Sequence, residues 1–266
     1  MPDLEVDHRA RRRLGAHRRK LGDGRRARAL DQSVEAAIAM CKNGIDVLEL
    51  GVPYSDPVMD GLVIQHATEQ ALENGFKLRQ VFDAVKRITN AVETPVLVMT
   101  YWNPIEKFGV EKFAHEIAAR GGSGVIHPDI TIEESGSWLA AADKEGINPI
   151  YVVALSTSDD RLAKVTSKCG GFVYAASIMG VTGARASVST GAEGLVSRIR
   201  TTTDLPVAVG LGVSTREQAR DVAAYADGVI VGSAFVRAIL DSPTLEEGLT
   251  KVTELARELA LGVRGQ

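Results

Sequence analysis

From Asp31 onward the chain repeats one unit: a short apolar run, a turn built on Gly, Pro or Asp, and then an amphipathic stretch. The runs are Ile45–Leu50, Pro95–Met99, Gly124–His127, Pro149–Val153, Gly171–Ala176, Pro206–Val209 and Gly228–Val231. Each is rich in Val and Ile and apolar at consecutive positions, so a strand made from it has to be buried on both faces. That is the property of a parallel sheet covered by helices. The stretches between supply the helices, at Leu78–Ile88, Val110–Arg120, Glu133–Glu145, Thr215–Ala224 and Leu245–Leu261. In the first of these, Leu78, Val81, Phe82, Val85 and Ile88 share one helical face. Strand–helix alternation without a long structureless loop gives a parallel α/β fold with right-handed crossovers. A length of 266 residues is close to the roughly 250 of one (β/α)8 TIM barrel.

A barrel of this kind needs an eighth strand before the helix expected at Asp31–Asn43. The stretch that should provide it, His8–Arg28, holds ten Lys or Arg, a single acid (Asp23) and no Val, Ile or Phe. Each Arg turned into a barrel wall would be a desolvated charge costing several kcal/mol. The first strand is therefore atypical or missing. Residues 1–30 read as a basic N-terminal segment and 31–266 as the barrel domain. For the basic segment three readings stand: an arm for phosphate-rich partners, a solvated tail without fixed structure, or a stretch unlike that of a functional relative. The second and third are favoured.

The net charge of -3 gives no general case for a nucleic-acid or anionic-membrane partner. Cys41 and Cys169 are far apart and lack metal-ligand spacing, so they read as reduced thiols and no metal is expected. No apolar run approaches the ~20 residues of a membrane span. The basic N-terminus has no following apolar region of the secretory kind. Cytoplasm is the expected compartment.

The chemistry starts at IDVLELGVPYSDPVMDG. Glu49 falls near the C-terminal end of its run, and in a (β/α)8 barrel that end opens on the active-site mouth. An unpaired carboxylate there should have a raised pKa, which suits a general acid/base. The alternative is an ion pair, but no other run from Ile45 onward carries Lys or Arg. Asp60 ends the following loop; alone, it could simply cap the helix beginning near Leu62. Asp56, before Pro57, reads as a turn residue. Glycine-rich turns come late, at Ser177–Gly183, Val209–Gly212 and Gly232-Ser233. Glycines there let backbone N–H groups approach a phosphate, and Ser233 opens a short helix whose N-terminus attracts the anion. The residues by themselves indicate a barrel enzyme with a carboxylate acid/base, acting on a small phosphorylated molecule.

ELGVPYSDPVMDG, MTYWNP (Met99–Pro104), Pro128-Asp129, GFVYAAS followed by MGVTGAR (Met179–Arg185), VAVGLGV and ADGVIVGSA together resemble the tryptophan synthase alpha chain family. The similarity runs in order from about Asp31 to about Val263. The resemblance implies a retro-aldol cleavage of indole-3-glycerol phosphate to indole and glyceraldehyde 3-phosphate, without a cofactor in this chain. It implies Glu49 and Asp60 as catalytic residues. Gly183, Leu211, Gly212, Gly232 and Ser233 match phosphate-binding positions. Met99, Tyr101, Ile126, Tyr174 and Leu211 match an apolar wall around the indole, where core packing is the alternative for each. Gly180–Ser189 resembles a closing lid whose Thr182 meets Asp60. The Pro53–Asp60 loop, with the Asn103-Pro104 turn, matches the face that docks a pyridoxal-phosphate-bearing beta chain in an alpha2beta2 assembly. A stand-alone lyase and a catalytically impaired structural partner of the beta chain are the alternatives.

Besides the N-terminal stretch, three positions depart from the family pattern. Leu62 and Leu155 stand where Pro is common, and His127 stands where an apolar residue or Thr is usual. A lone His at a strand end is expected to be a packed, hydrogen-bonded ring rather than an extra acid/base.

Overall fold

The computed structural model describes residues 29–177 and 185–266. Seven strands pair in chain order, every pair parallel: β1 (Leu48–Gly51), β2 (Val96–Met99), β3 (Gly124–His127), β4 (Asn148–Ala154), β5 (Val173–Ala176), β6 (Val207–Gly210) and β7 (Gly228–Ile230). The first helix, α1, covers 29–41. The others are α2 (Leu62–Glu73), α3 (Arg79–Thr89), α4 (Trp102–Phe108), α5 (Val110–Ala118), α6 (Gly136–Glu145), α7 (Asp159–Thr166), α8 (Arg185–Arg200), α9 (Arg216–Ala223), α10 (Ser233–Leu240) and α11 (Leu245–Val263). All seven expected runs become strands. Helices separate every pair of neighbours, which is the (β/α)8 order with seven of its strands among the described residues.

Strand pleating sorts the side chains into two layers. Leu48, Val98, Val125, Val153, Val173 and Val209 turn outward into the large core beneath the helices. Leu97, Met99, Ile126, Ile150, Val152, Phe172 and Tyr174 gather on the inner side. From the helices, Val81, Phe82, Val85 and Ile88 of α3 close the outer core, all of them buried. Each such side chain contributes roughly 1.5–3 kcal/mol by leaving water. α11 begins with a side-chain cap: the Thr244 hydroxyl accepts the N–H of Glu247 at 3.2 Å and donates to its carboxylate at 3.3 Å.

Two local details differ from the sequence expectations. Asn103-Pro104 is the first turn of α4 rather than a free turn, a place where proline's missing N–H is no loss. Arg185–Ser189, expected as part of a loop, begins α8. Among the described residues no strand lies on the outer edge of β1 or of β7, and the stretch expected to hold an atypical or missing first strand, His8–Arg28, lies outside them.

His127 turns outward from β3 and is fully enclosed, its ring 4.6 Å from that of Trp138 and edge-on to it. Trp102 and Tyr151 stand slightly further off. The ring is packed as expected, but neither nitrogen has a hydrogen-bond partner among the described residues. Burial pulls its pKa down to about 3. The unfolded chain, with His near 6.5, then binds the extra proton first, so stability is full above that pH and falls as pH drops toward 3. We expect the chain to lose about 1.4 kcal/mol per pH unit below 6.5 relative to a His127→Leu variant. Urea melts of both proteins at pH 7.5 and 5.5 check this; parallel losses would remove His127 as the cause.

Candidate active site at the barrel mouth

Parallel pairing brings the C-terminal ends of all seven strands to one rim. Glu49 lies opposite Leu97 in the ladder, and since Leu48 turns outward, Glu49 turns inward. Its carboxyl is half-buried over the inner apolar cluster, and burial alone pushes its pKa up to about 7. It has no salt bridge to a described residue. The ion-pair alternative therefore has nothing to rest on there. A carboxyl poised near neutrality can both give and accept a proton at physiological pH.

Tyr174, on β5, comes from the far side of the same interior. Burial and the nearby Glu49 charge both push its phenol up, in that order. Gly210 on β6 makes room for it: a Cβ at that position would stand 3.1 Å from the Tyr174 hydroxyl. Met99 and Ile126 also line the inner cluster. Leu211 does not, because its side chain packs in the outer core with Val209 and Val213. Only its backbone is left for a ligand.

Asp60 is held by the strand next to Glu49. Tyr101 follows β2 and is almost wholly buried. Its hydroxyl oxygen accepts the N–H groups of Val58 (3.2 Å) and Met59 (3.1 Å), which pins the backbone just before Asp60 and sets the phenol near the Asp60 carboxyl. Burial raises the Asp60 pKa, and the nearby Tyr101 hydroxyl partly offsets this. The capping alternative for Asp60 does not hold: α2 starts at Gly61 without a side-chain cap. The Asp60 carbonyl instead accepts from the Gln65 amide at 2.7 Å.

Neighbouring residues fix this loop in place. Tyr54 lies against Tyr101 with ring centroids 5.2 Å apart, and Asn103 donates to the Tyr54 hydroxyl at 3.0 Å. Asp129 accepts the Trp102 N–H at 2.9 and 3.1 Å, capping α4 from the next loop. These supports could not be read from the sequence, since each joins residues from different turns of the fold.

The later loops supply the glycine features. Gly212 has a left-handed backbone (φ +71) with open space around it. Gly232 caps α10, whose start has neither a side-chain cap nor an acidic residue. The first amides of α10, at Ser233 and Ala234, are thus free for an anion, since the chain's own bonds begin with Phe235 on the Gly232 carbonyl. Thr182 and Gly183 lie outside the described residues. Among the described residues, no three His, Cys, Asp or Glu side chains converge in a way that could hold a metal ion.

This arrangement has clear counterparts. A profile of the family described as tryptophan synthase alpha chain matches residues 23–264. The chain belongs to the tryptophan synthase alpha chain family. The alpha chain of Streptomyces coelicolor is 54% identical over 233 residues, which cover 88% of this chain and 86% of that one. The alpha chain of Mycobacterium avium is 52% identical over 232 residues, 87% and 83% of the two chains. Among solved structures, Mycobacterium tuberculosis tryptophan synthase superposes with a TM-score of 0.80 at 47% identity, over 88% of this chain and 87% of that one. The tryptophan synthase α2β2 complex of Pyrococcus furiosus gives 0.78 at 34% identity, over 89% and 93%. Membership makes this chain a lyase of tryptophan biosynthesis that cleaves indole-3-glycerol phosphate.

Proposed function

We propose that Glu49 and Asp60 carry this cleavage, within a lyase domain spanning 31–266 to which the basic residues 1–30 contribute no catalytic group. The observation that carries the assignment is the inward Glu49 carboxyl, poised near neutrality, together with the Asp60 loop that follows β1 and is pinned by Tyr101. Glu49 protonates indole C3, giving an indoleninium cation. Asp60 faces the indole nitrogen and stabilises that positive charge in a low-dielectric pocket. Glu49, now ionised, takes the proton from the adjacent glycerol hydroxyl. The carbon–carbon bond then breaks, its electrons restoring the indole ring as the hydroxyl carbon becomes the aldehyde. Protons balance, and no cofactor enters.

Met99, Tyr101, Ile126 and Tyr174 form the apolar wall around the indole in this reading. The phosphate sits at the free amides of Gly232 and Ser233, near Gly212, with the Leu211 backbone and Gly183 completing its cradle. Thr182 meets Asp60 when the site closes.

Gly232 offers a clean test of the phosphate position, because its φ of -114 suits an L residue and a Cβ there would meet nothing within 4 Å. Gly212→Val would add backbone strain to any loss of binding. We expect Gly232→Val to fold normally and to bind glycerol 3-phosphate at least roughly tenfold more weakly, a cost of about 1.4 kcal/mol. Unchanged calorimetric affinity would place the phosphate elsewhere.

A pyridoxal-phosphate-bearing beta chain is the expected partner, in an alpha2beta2 assembly. Beside Asp60, Val58 and Leu62 are 75% and 82% exposed and Met59 is also exposed, an apolar rim of the kind that partners cover. No helix of the described residues is long and apolar enough to cross a membrane, and both cysteines are free; we place the chain in the cytoplasm. Indole release by the purified chain, with and without a beta chain, tests the whole reading. Stimulation by the partner is expected. Full activity alone would make it a stand-alone lyase, and none in either state would make it a structural partner.

A further inference from the structure

Asp129 stands on the loop after β3 and makes no ion pair with a described residue. Both of its carboxylate oxygens instead accept one donor, the Trp102 N–H, at 2.9 and 3.1 Å. Trp102 is the first residue of α4, where a backbone N–H has no partner inside its own helix. The N-cap residue Tyr101 gives it no side-chain bond, and the first turn holds no acid. With seven residues, α4 is too short to hold its shape alone in water. What binds its start from outside therefore decides where that start lies. A carboxylate suits this place twice over, through a charge-assisted bond and through the positive end of the helix.

We propose, on the reading of Asp60 as the group facing the indole nitrogen, that Asp129 is a positioning residue for the cleavage and acts through α4. Tyr101 directly precedes Trp102, and its hydroxyl accepts the amides of Val58 and Met59, the two residues before Asp60. Asn103 directly follows Trp102 and donates to the hydroxyl of Tyr54, earlier in the same loop as Asp60. The two fasteners of that loop thus flank the one residue that Asp129 holds. A shift of the Trp102 backbone passes to both, since neighbouring Cα atoms stay about 3.8 Å apart. Buried Ile105 and the Trp102 ring, edge-on to His127, keep α4 on the barrel by packing. Apolar contact is less directional than a hydrogen bond. Without the carboxylate, α4 should stay folded while its first turn, and with it the Asp60 loop, drifts.

Steady-state indole release by the full chain, without a beta chain, tests this in Asp129→Ala, Asp129→Asn, Tyr101→Phe and the Asp129→Ala, Tyr101→Phe double variant. Asp129→Ala should lower kcat roughly 10- to 100-fold, the effect of misplacing a catalytic group by about 1 Å, with KM and glycerol 3-phosphate affinity little changed. Asp129→Asn keeps a neutral oxygen for the Trp102 N–H and should recover most of that loss. The double variant should lose much less than the product of the single losses, because both changes cut one path. Asp129 is exposed, so its truncation leaves no cavity; Asp129→Gln, whose oxygen reaches past that N–H, repeats the loss of contact should Ala fail to fold. Hydrogen exchange at the Val58 and Met59 amides reads the same displacement without turnover, and should quicken in Ala but not in Asn. Wild-type kcat and exchange in Asp129→Ala, an Asn variant as impaired as Ala, or losses that simply multiply would overturn the proposal. A loss seen only with a beta chain present would overturn it too, making Asp129 a contact for the partner. Asp60→Asn measured alongside separates the two readings: normal turnover there removes Asp60 and this role with it, whereas an impaired Asp60→Asn beside a normal Asp129→Ala removes the role of Asp129 alone.

Discussion

Glu49→Gln is expected to abolish most indole release while making the folded chain more stable above neutral pH. The first effect follows from losing the group that both gives and takes a proton, a contribution of ~10²–10⁴ in rate. The second follows from linkage. Burial raises the Glu49 pKa from 4.5 to about 7, so the unfolded chain ionises first as pH rises. Stability from this group is full below 4.5 and declines until about 7, a total of about 3 kcal/mol at 1.36 kcal/mol per unit. Gln carries no charge and escapes that loss. Single-turnover indole release and urea melts at pH 5 and 8 separate the two effects. Near-normal turnover, or a Gln variant no more stable at pH 8, would remove Glu49 from the role assigned here. Asp60→Asn should show a comparable loss of rate. Its phosphate affinity should stay intact, since Asp60 and Gly232 lie on different loops.

The opposite pH dependences of Glu49 and His127 show what the sequence could and could not convey. Glu49 was legible because an acid within IDVLEL interrupts an apolar run, and a run without a cation offers it no partner. The strands were legible for the same reason: unbroken Val- and Ile-rich segments leave few other structures open. His127 was legible as a packed residue, but not as an unsatisfied one, because whether its nitrogens meet a partner depends on Trp138, Trp102 and Tyr151 from three other elements. Leu211 was expected in the apolar wall on the strength of the family resemblance alone, with core packing as the alternative. The alternation of Val207, Val209, Leu211 and Val213 into the outer core overrode that. The hold of Tyr101 on the Val58 and Met59 amides is likewise a product of adjacent strands, and local sequence carries no trace of it. What the sequence did carry about the mouth was the order of the glycine turns, because close approach to a phosphate is a demand on single residues.

A version of this chain carrying a Val- and Ile-rich strand followed by a Gly or Pro turn in place of His8–Arg28 should be markedly more stable and more active. The expectation rests on charge alone: both faces of a barrel strand are dry, and each Arg buried there would cost several kcal/mol. Among the described residues β1 and β7 have no outer partner, and on the charge argument the unstrengthened chain is expected to offer those two ladders of backbone groups for pairing between molecules. Val47, next to β1, is 44% exposed, and Glu49 borders the same gap. A strand closing it would bury four to six side chains at roughly 1.5–3 kcal/mol each, against an ordering cost of about 1.5 kcal/mol per residue. Edge pairing and the newly covered barrel wall add to that margin. We expect a net gain of a few kcal/mol, about 10 °C in melting temperature for a domain of this size. Drier surroundings for Glu49 should also strengthen its interaction with the developing charge and raise indole release. The comparison is by thermal melts, size-exclusion chromatography and indole release, with the grafted protein expected to run as a single species. Equal stability and equal activity in the two proteins would mean that another segment already closes the barrel. The charge argument against His8–Arg28 would then be wrong in the one place where it was applied most strictly.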